Sequence, residues 1–230
     1  LSHIQSVVER RNTIPILSNV LLKVDDGQLK LKATDLDLEV LETVPADVAA
    51  PGGTTVPAHM FYDIVRKLPD GSEISLELEG ASGTMVIRSG RSRFQLQVLP
   101  ETDFPDLTAG TFTHRFSLPA SGLKRLIDRT QFAISTEETR YYLNGIFLHA
   151  VDGEREPRLR AVATDGHRLA QAELTAPNGA EAMPGIIIPR KTVSELQKLV
   201  EEPDATIGVE VSDSKIRVTI GAIVLTSKLI

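Results

Sequence analysis

The feature that most constrains this chain is a sequence pattern that occurs twice. Ala33-Thr34-Asp35 recurs as Ala163-Thr164-Asp165, and the apolar stretch Leu17–Val24 resembles Leu143–Ala150. Three further pairs match in the same order, at spacings that drift only from 126 to 133 residues: Thr55–Pro57 with Ile187–Pro189, Ile74–Leu78 with Ile207–Val211, and Gly90 with Gly221. Ordered matches at nearly one spacing indicate a tandem duplication. We therefore expect two similar domains, residues 1–110 and 111–230.

Each copy contains two stretches with helical spacing among several short strands. Apolar residues recur at i, i+3 and i+4, and a proline, Pro57 or Pro189, precedes the second stretch of each copy. The apolar stretches between them are short, alternating and bounded by turn pairs such as Asp26-Gly27, which is typical of strands. Strands outnumber helices without regular alternation, so the fold class is α+β, and Pro100–Pro105 is the natural linker. The predicted helical stretches are Leu1–Arg11, Ala58–Leu68, Ser121–Gln131 and Arg190–Val200.

Composition excludes several kinds of site. Cysteine is absent, which excludes disulfides, thiol nucleophiles and thiolate metal ligands. The five histidines show no metal-ligand spacing such as H-x-x-x-H, so we expect neither a metal nor another cofactor. No apolar run approaches the roughly 18 residues of a membrane span, and no secretory signal is visible at the start. These features suit a cytoplasmic protein.

Basic residues are concentrated on the predicted helical stretches. These stretches carry ten basic and four acidic residues, whereas the net charge of the whole chain is −6. Basic residues are good helix formers on solvated surfaces, and this ordinary explanation stays open for any single helix. A bias shared by all four helices favours a protein whose helices face a polyanion. Because aromatic residues make up only 4% of the chain, we expect contacts with backbone phosphates, without sequence choice and without base stacking on single strands.

The polar cluster Thr164–Arg168 is the most conspicuous candidate for catalysis. An Asp and a His two residues apart suggest acid–base chemistry, but no nucleophile is visible nearby, and the first copy reads Thr34–Leu38 without a histidine. We expect Asp35 and Asp165 each to stabilise a turn by bonding to their own backbone. Ser89–Arg93 lacks the strand, lysine and helix of a phosphate loop and is expected to turn a hairpin. The sequence therefore predicts no catalytic residue.

Several segments resemble the bacterial DNA sliding clamp, the β subunit of DNA polymerase III. They run from end to end of the chain: Arg11–Asn19 (RNTIPILSN), Val86–Phe94 (VIRSGRSRF), Asp103–Leu107 (DFPDL), Arg140–Gly145 (RYYLNG), Ala163–Ala170 (ATDGHRLA), Ile188–Lys191 (IPRK) and Thr226–Leu229 (TSKL). The family implies three similar α+β domains per chain and a head-to-tail homodimer closed into a ring. Helices line the inner wall of that ring, and antiparallel sheets form the outer wall. Compared with the family, the sequence begins inside the first helix of the first domain and stops where the family continues into a third domain.

By this resemblance, the inner wall of the ring faces duplex DNA. Glu137 stands where some family members place a polar residue in contact with DNA, and a carboxylate there would repel phosphate. The DNA-binding residues that the resemblance implies are Arg11, on the loop after the first helix, and the helix residues Lys124, Arg125, Arg190 and Lys191.

The resemblance implies a second function, which is to dock short linear peptides in a pocket between the second and third domains. The duplication predicts that Leu143 and Leu169 lie on neighbouring strands. The first copy has Leu36 where the second has Gly166, so we expect the groove to be open only in the second domain. The alternative, that both leucines are ordinary core residues, stays open. The wall that the resemblance assigns to the second domain consists of Leu143, Thr164, Gly166, His167, Arg168 and Leu169.

The implied function is that of a processivity factor, which is not an enzyme but a ring that slides on duplex DNA and tethers its partners. The expected partners are the catalytic subunit of DNA polymerase III, the clamp loader, and other polymerases and repair proteins that carry a short linear motif. Two alternatives stay open: an acidic scaffold that binds proteins without touching DNA, and a hydrolase or transferase subunit. Because the ring interface of the family joins the first domain of one chain to the third of another, we expect these 230 residues alone to be a monomer that binds DNA weakly.

Overall fold

The chain divides into two compact units in the computed structural model, which describes residues 1–80, 83–107, 110–200 and 204–230. The first unit is Leu1–Asp106 and the second is Leu107–Ile230. The domain boundary expected after residue 110 adjoins residues 108 and 109, which lie outside the described residues. Residues 100–105 are not a free linker, because Glu101 lies over Gly53 of the first unit, where an added Cβ would come within 1.7 Å of its carboxylate Oε2.

The first unit contains two antiparallel sheets in its described residues. Strands β4, β1, β2 and β3 pair side by side in that order, and β5, β6 and β7 form the other sheet. The predicted hairpin at Ser89–Arg93 is confirmed, since β6 and β7 pair around Gly90, whose φ is 55°. The elements in chain order are α1 (Ser2–Val7), β1 (Asn19–Asp25), β2 (Gln28–Thr34), β3 (Leu38–Pro45), β4 (Gly52–Pro57), α2 (Ala58–Val65), β5 (Ser75–Glu79), β6 (Thr84–Ser89) and β7 (Ser92–Gln97).

The second unit repeats this arrangement and has one additional strand before its first helix. Its elements are β8 (His114–Pro119), α3 (Ala120–Thr130), β9 (Gly145–Val151), β10 (Arg158–Thr164), β11 (Leu169–Thr175), β12 (Ile186–Pro189), α4 (Arg190–Leu199), β13 (Thr206–Val211), β14 (Lys215–Ile220) and β15 (Ile223–Lys228). One sheet has the order β12, β9, β10, β11, and the other has the order β8, β13, β14, β15. Apart from β8, the strands pair as in the first unit. The duplication and the α+β class are confirmed.

Apolar faces of the helices form much of each core. On α3 the residues with helical spacing, Leu123, Leu126 and Ile127, are all buried, as Ile4 and Val7 are on α1. Each buried side chain of this size contributes roughly 1.5–3 kcal/mol relative to an exposed one. Helix α3 packs on β10 and β11, and α4 packs on β9 and β12 of the same sheet. The opposite faces of α3 and α4 carry the basic residues, which are exposed except for the half-buried Lys191, whereas Glu195 of α4 is buried.

Both helices of the first unit end earlier than the spacing predicted. Helix α1 ends at Val7 instead of Arg11, because the next residue has extended backbone with φ −76° and ψ 119°. Helix α2 ends at Val65, shortly before Pro69, whose ring disfavours helical backbone in the residue that precedes it. The prediction of a basic surface on all four helices is therefore wrong for α1 and α2. The basic residues assigned to them follow the helices instead: Arg10, Arg11, Arg66 and Lys67.

Candidate functional site

A basic surface lies on the exposed sides of α3 and α4. The two helices are neighbours, and Gln197 Nε2 on α4 donates a hydrogen bond to Asp128 Oδ1 on α3 at 2.9 Å. Together the helices carry six basic and two acidic side chains. Such an excess of positive charge on one surface attracts polyanions. The six basic residues are Lys124, Arg125, Arg129, Arg190, Lys191 and Lys198.

These six residues differ in how much of their charge is already neutralised. Lys124 pairs with Asp128 one turn further along α3, and Lys198 Nζ lies 2.7 Å from Glu195 Oε1. The hydrogen bond from Lys124 lowers the pKa of the Asp128 carboxyl, so this pair is ionised at neutral pH. A guanidinium without a protein partner binds a phosphate without first losing another bond. The exposed basic side chains that make no hydrogen bond or ion pair with any described residue are those of Arg125, Arg129 and Arg190.

The remaining predicted DNA-binding residue, Arg11, belongs to the first unit. It is exposed on the loop between α1 and the 3-10 helix Pro15–Ser18. Within the ranges that the structure describes, its guanidinium forms no ion pair or hydrogen bond. The structure therefore brings four of the five predicted residues together on α3 and α4, and places the fifth on an exposed loop.

The turn between β10 and β11 carries most of the predicted peptide-docking residues. Thr164 Oγ1 accepts a hydrogen bond from the Gly166 amide at 3.1 Å and donates one to the Arg168 carbonyl at 2.7 Å. Asp165 Oδ1 accepts hydrogen bonds from the Arg168 and His167 amides at 3.0 and 2.9 Å. These two bonds stabilise the carboxylate and lower the pKa of Asp165 to about 2. The prediction that Asp165 stabilises its own turn is confirmed.

The equivalent turn of the first unit has the same three hydrogen bonds from backbone amides to the Thr and Asp side chains. Thr34 Oγ1 accepts the Leu36 amide at 3.0 Å, and Asp35 Oδ1 accepts the two following amides at 2.9 and 2.7 Å. Leu36 has φ 79°, and Gly166 at the matching position has φ 90°. This left-handed backbone costs a residue with a side chain roughly 1–2 kcal/mol but costs glycine little. The first copy thus keeps the backbone of the turn with an exposed leucine at its tip.

Exposed apolar side chains flank the turn of the second unit. Leu169 is 65% exposed, and Phe132, in the 3-10 helix Gln131–Ala133, is 57% exposed. The Arg168 guanidinium lies 5.6 Å from the centroid of the Phe132 ring, within cation–π range. Leu169 is therefore not a core residue, whereas Leu143 is half-buried. Exposed apolar area rimmed by polar groups is typical of an interaction surface.

The prediction that Leu143 and Leu169 lie on neighbouring strands is wrong. Leu143 precedes β9 and Leu169 begins β11, and β10 pairs with both strands and lies between them. The three strands follow one another as hairpins, so only strands that are adjacent in the chain pair in this part of the sheet. Both leucines still lie at the same end of the sheet, because β9 and β11 start where β10 ends.

Arg140 also contributes to this turn, although no role was predicted for it from the sequence. A Cβ added to Gly166 would lie 2.7 Å from Arg140 Nη1, so the guanidinium covers the side of the turn that lacks a side chain. Arg140 Nε donates to Glu137 Oε2 at 2.9 Å. The hydrogen bond from Arg140 lowers the pKa of the Glu137 carboxyl, which is ionised but paired. The repulsion that Glu137 would exert on phosphate is therefore offset by its neighbour.

Asp165 and His167 are not arranged as an acid–base pair in the described residues. The carboxylate accepts the backbone amide of His167, at 2.9 Å, and not its imidazole. No cluster of three or more His, Cys, Asp or Glu side chains suited to a metal ion occurs in the described ranges. No helix found there is both long and apolar enough to cross a bilayer.

Comparison with known families gives a match for each unit. Residues 1–108 match the N-terminal domain of the DNA polymerase III beta subunit, and residues 117–230 match its central domain. Over its full length the chain is 54% identical to the beta sliding clamp of Caulobacter vibrioides and 44% identical to that of Escherichia coli K12. It covers 62% and 61% of those two proteins, so it spans about three fifths of the length of these relatives.

Solved structures of bacterial sliding clamps also match this chain. The crystal structure of a sliding clamp from Bartonella birtlesii bound to griselimycin matches with a TM-score of 0.95 and 57% sequence identity. The match covers 100% of this chain and 61% of that one. A structure from Caulobacter crescentus matches with a TM-score of 0.96 at 53% identity, over 100% of this chain and 62% of its own. The chain therefore belongs to the family of bacterial beta sliding clamps, the beta subunits of DNA polymerase III.

Proposed function

We propose that this chain forms two domains of a processivity factor that encircles duplex DNA and carries out no reaction itself. The observation that carries the proposal is the basic surface of α3 and α4, on a chain whose net charge is −6, in a family of beta sliding clamps. An excess of positive charge on one surface of an acidic protein attracts phosphates to that surface. Contacts with phosphates carry no sequence information, so the protein binds any duplex.

Three exposed arginines, Arg11, Arg125 and Arg190, are the leading phosphate contacts in this proposal. Lys124 and Lys191 add to the positive field but already have partners within the chain. Each neutralised phosphate releases condensed counterions, so affinity falls as the salt concentration rises. Such exchangeable contacts permit sliding. Retention then depends on ring closure, which we assign to a head-to-tail homodimer of the complete protein.

Retention on circular DNA tests this function. Complete protein loaded onto a nicked plasmid should stay bound during gel filtration and should leave when the plasmid is linearised. Combining Arg125→Gln with Arg190→Gln should reduce loading, whereas Arg155→Gln, on the exposed β9–β10 loop, should not. Equal retention on circular and linear plasmid would contradict a ring. A protein that binds its protein partners but never associates with DNA would instead be the acidic scaffold.

We also propose that the turn between β10 and β11 forms one wall of a peptide-docking site. Leu169 and Phe132 offer exposed apolar area, and Thr164 and Arg168 offer polar groups beside it. The related clamp from Bartonella birtlesii holds griselimycin, which supports a ligand site in this family. Small ligand sites generally combine apolar area with a few convergent polar groups in this way. The proposed occupants are short linear motifs of the polymerase catalytic subunit, the clamp loader, other polymerases and repair proteins.

Peptide titration tests the docking site. The probe is a labelled peptide that carries the clamp-binding motif of the polymerase catalytic subunit. Burying a leucine contributes roughly 1.5–3 kcal/mol, so Leu169→Ala should weaken binding by about one to two decades. Leu78→Ala is the matched control, because Leu78 is 50% exposed on β5 of the first unit. Unchanged affinity for Leu169→Ala, or equal losses in both variants, would show that the site lies elsewhere.

A further inference from the structure

A histidine of α2 contacts the end of α1 in the first unit. The imidazole Nε2 of His59, in the first turn of α2, lies 2.9 Å from the carbonyl oxygen of Val8, the first residue after α1. A carbonyl oxygen only accepts hydrogen bonds, so Nε2 carries a proton and donates it to the bond. Val8 is buried, so its carbonyl depends on a partner within the protein. The bond therefore ties the end of α1 to a residue 51 positions further along the chain.

This bond takes the place of one that would continue the helix. If α1 ran on to Arg11, the Val8 carbonyl would accept the backbone amide of Asn12. Instead the carbonyl accepts His59, and the Asn12 side chain begins a turn, in which its Oδ1 accepts the Ile14 amide at 3.1 Å. The last carbonyls of a helix lack partners within the helix and need a donor from outside it. His59 supplies that donor where α1 stops short of the end that apolar spacing predicted.

The residues after Val8 form an exposed loop that carries two arginines. Arg10 and Arg11 are both exposed, and neither forms a hydrogen bond or ion pair with a described residue. The loop leads into the 3-10 helix Pro15–Ser18. A side chain on a mobile loop loses freedom when it binds a phosphate, and this loss weakens the contact. Fixing the first residue of the loop reduces the loss for the side chains that follow.

We propose that His59 is a positioning residue for phosphate binding, because it fixes the start of the loop that carries Arg10 and Arg11. The proposal rests on the proposed clamp function in taking Arg11 as a contact to duplex DNA. In this role His59 acts through the Val8 carbonyl and not through a contact of its own with DNA. A side chain that places a donor at the same point should therefore replace it, and a shorter one should not.

Limited digestion with trypsin measures how firmly the loop is held. In the complete protein, His59→Asn should raise the rate of cleavage after Arg10 and Arg11 by about 2- to 10-fold, the factor that one hydrogen bond contributes. His59→Gln should keep the parental rate, because the glutamine amide nitrogen reaches about as far from the backbone as Nε2 and the asparagine amide does not. Cleavage after Arg91, in the exposed turn between β6 and β7 of the same unit, is the internal control and should be equal in all three proteins.

Binding to duplex DNA measures the consequence for phosphate contact. In Arg11→Gln the slope of log affinity against log salt concentration should fall by about 0.9, the value of one phosphate contact. His59→Asn should lose part of the same slope, and His59→Gln should keep it. In the Arg11→Gln background His59→Asn should have no further effect, because the group through which it acts is already absent.

The two measurements separate this proposal from the proposed function. Parental cleavage after Arg10 and Arg11 in His59→Asn, or an equal rise after Arg91, would overturn the anchoring of the loop. A parental slope in His59→Asn beside a reduced slope in Arg11→Gln would overturn the positioning role. So would a loss of slope that persists in the Arg11→Gln background, since the imidazole would then contact DNA itself. Faster cleavage in His59→Asn with a parental slope in Arg11→Gln would support the anchor and contradict the phosphate contact assigned to Arg11.

Discussion

Gly145 connects the two proposed binding surfaces of the second unit, and we predict that Gly145→Ala destabilises this unit. The residue begins β9, directly after the segment that contains Leu143, and pairs with Pro189 at the end of β12, where α4 starts. A Cβ at this position would lie 2.3 Å from the Ile188 carbonyl oxygen and 2.9 Å from the Ile187 side chain. The nearest obstacle is backbone, which cannot rotate away as the end of a flexible side chain can.

The size of the effect follows from these distances. A carbon–oxygen contact is comfortable at about 3.3 Å, so the end of β12 must move by about 1 Å. Overpacking of this kind costs about 1–3 kcal/mol. The movement also strains the hydrogen bond from the Arg190 amide to the Asn144 carbonyl, which is 2.8 Å long and contributes about 1 kcal/mol. We therefore expect Gly145→Ala to lower the free energy of unfolding by about 2–4 kcal/mol.

Urea denaturation followed by circular dichroism measures this loss. Gly208→Ala is the matched control, because an added Cβ on β13 meets only Thr219 Cβ, at 3.8 Å. Alanine is favoured over glycine in a strand, so the control should unfold within about 0.5–1 kcal/mol of the parent. If Gly145→Ala and Gly208→Ala unfold at the same urea concentration, the steric argument is refuted.

Three further predictions concern surface charge and the docking turn. Arg125→Gln should reduce the slope of log affinity for duplex DNA against log salt concentration by about 0.9. Lys124→Gln should reduce it less, because the Lys124 ammonium is already paired with Asp128. Fluorescence anisotropy of a labelled duplex over a salt series distinguishes the two variants. The stability that the Asp165 carboxylate adds should be complete above its ordinary pKa of 3.8 and should be lost as the pH falls toward about 2. The loss should appear in the NMR chemical shifts of the turn amides, measured against pH. Gly166→Ala forces alanine to φ 90° and brings its Cβ within 2.7 Å of Arg140 Nη1. It should weaken peptide binding and cost about 1–2 kcal/mol of stability by urea titration, and an unchanged peptide affinity would contradict this placement of the turn.

The parts of the fold that depend on local patterns could be predicted from the sequence. Apolar spacing alone located α3, and spacing together with a preceding proline located α4, each to within a residue at either end. Apolar spacing overestimated the length of α1, because it gives no information on where the backbone leaves the helical conformation, which happens at Val8. The duplication was visible because matching strands keep their order in both copies, and the paired strands of the structure repeat that order.

The arrangement of the site could be predicted only in part. The Thr-Asp pairs identified both turns, because their hydrogen bonds are local. The position of Leu143 relative to Leu169 depends on which strands pair, and that order is set by hairpins and not by side-chain spacing. The hydrogen bond from the Arg190 amide to the Asn144 carbonyl depends on β12 pairing with β9, a contact between distant segments with no local signal. Sequence reasoning also missed Phe132, which follows α3 and whose ring is exposed.

The repeated turn has a consequence for how such a protein changes over time. In both copies the backbone is fixed by the Thr and Asp that precede the tip, whether the tip residue is Leu36 or Gly166. Folding and surface chemistry are therefore encoded by different residues of the same short segment. Substitutions at the positions after the tip can therefore change the surface of the turn without removing the backbone amides that bind the Asp carboxylate. A library randomised at His167 and Arg168 alone should accordingly contain mostly folded clamps with altered partner preferences.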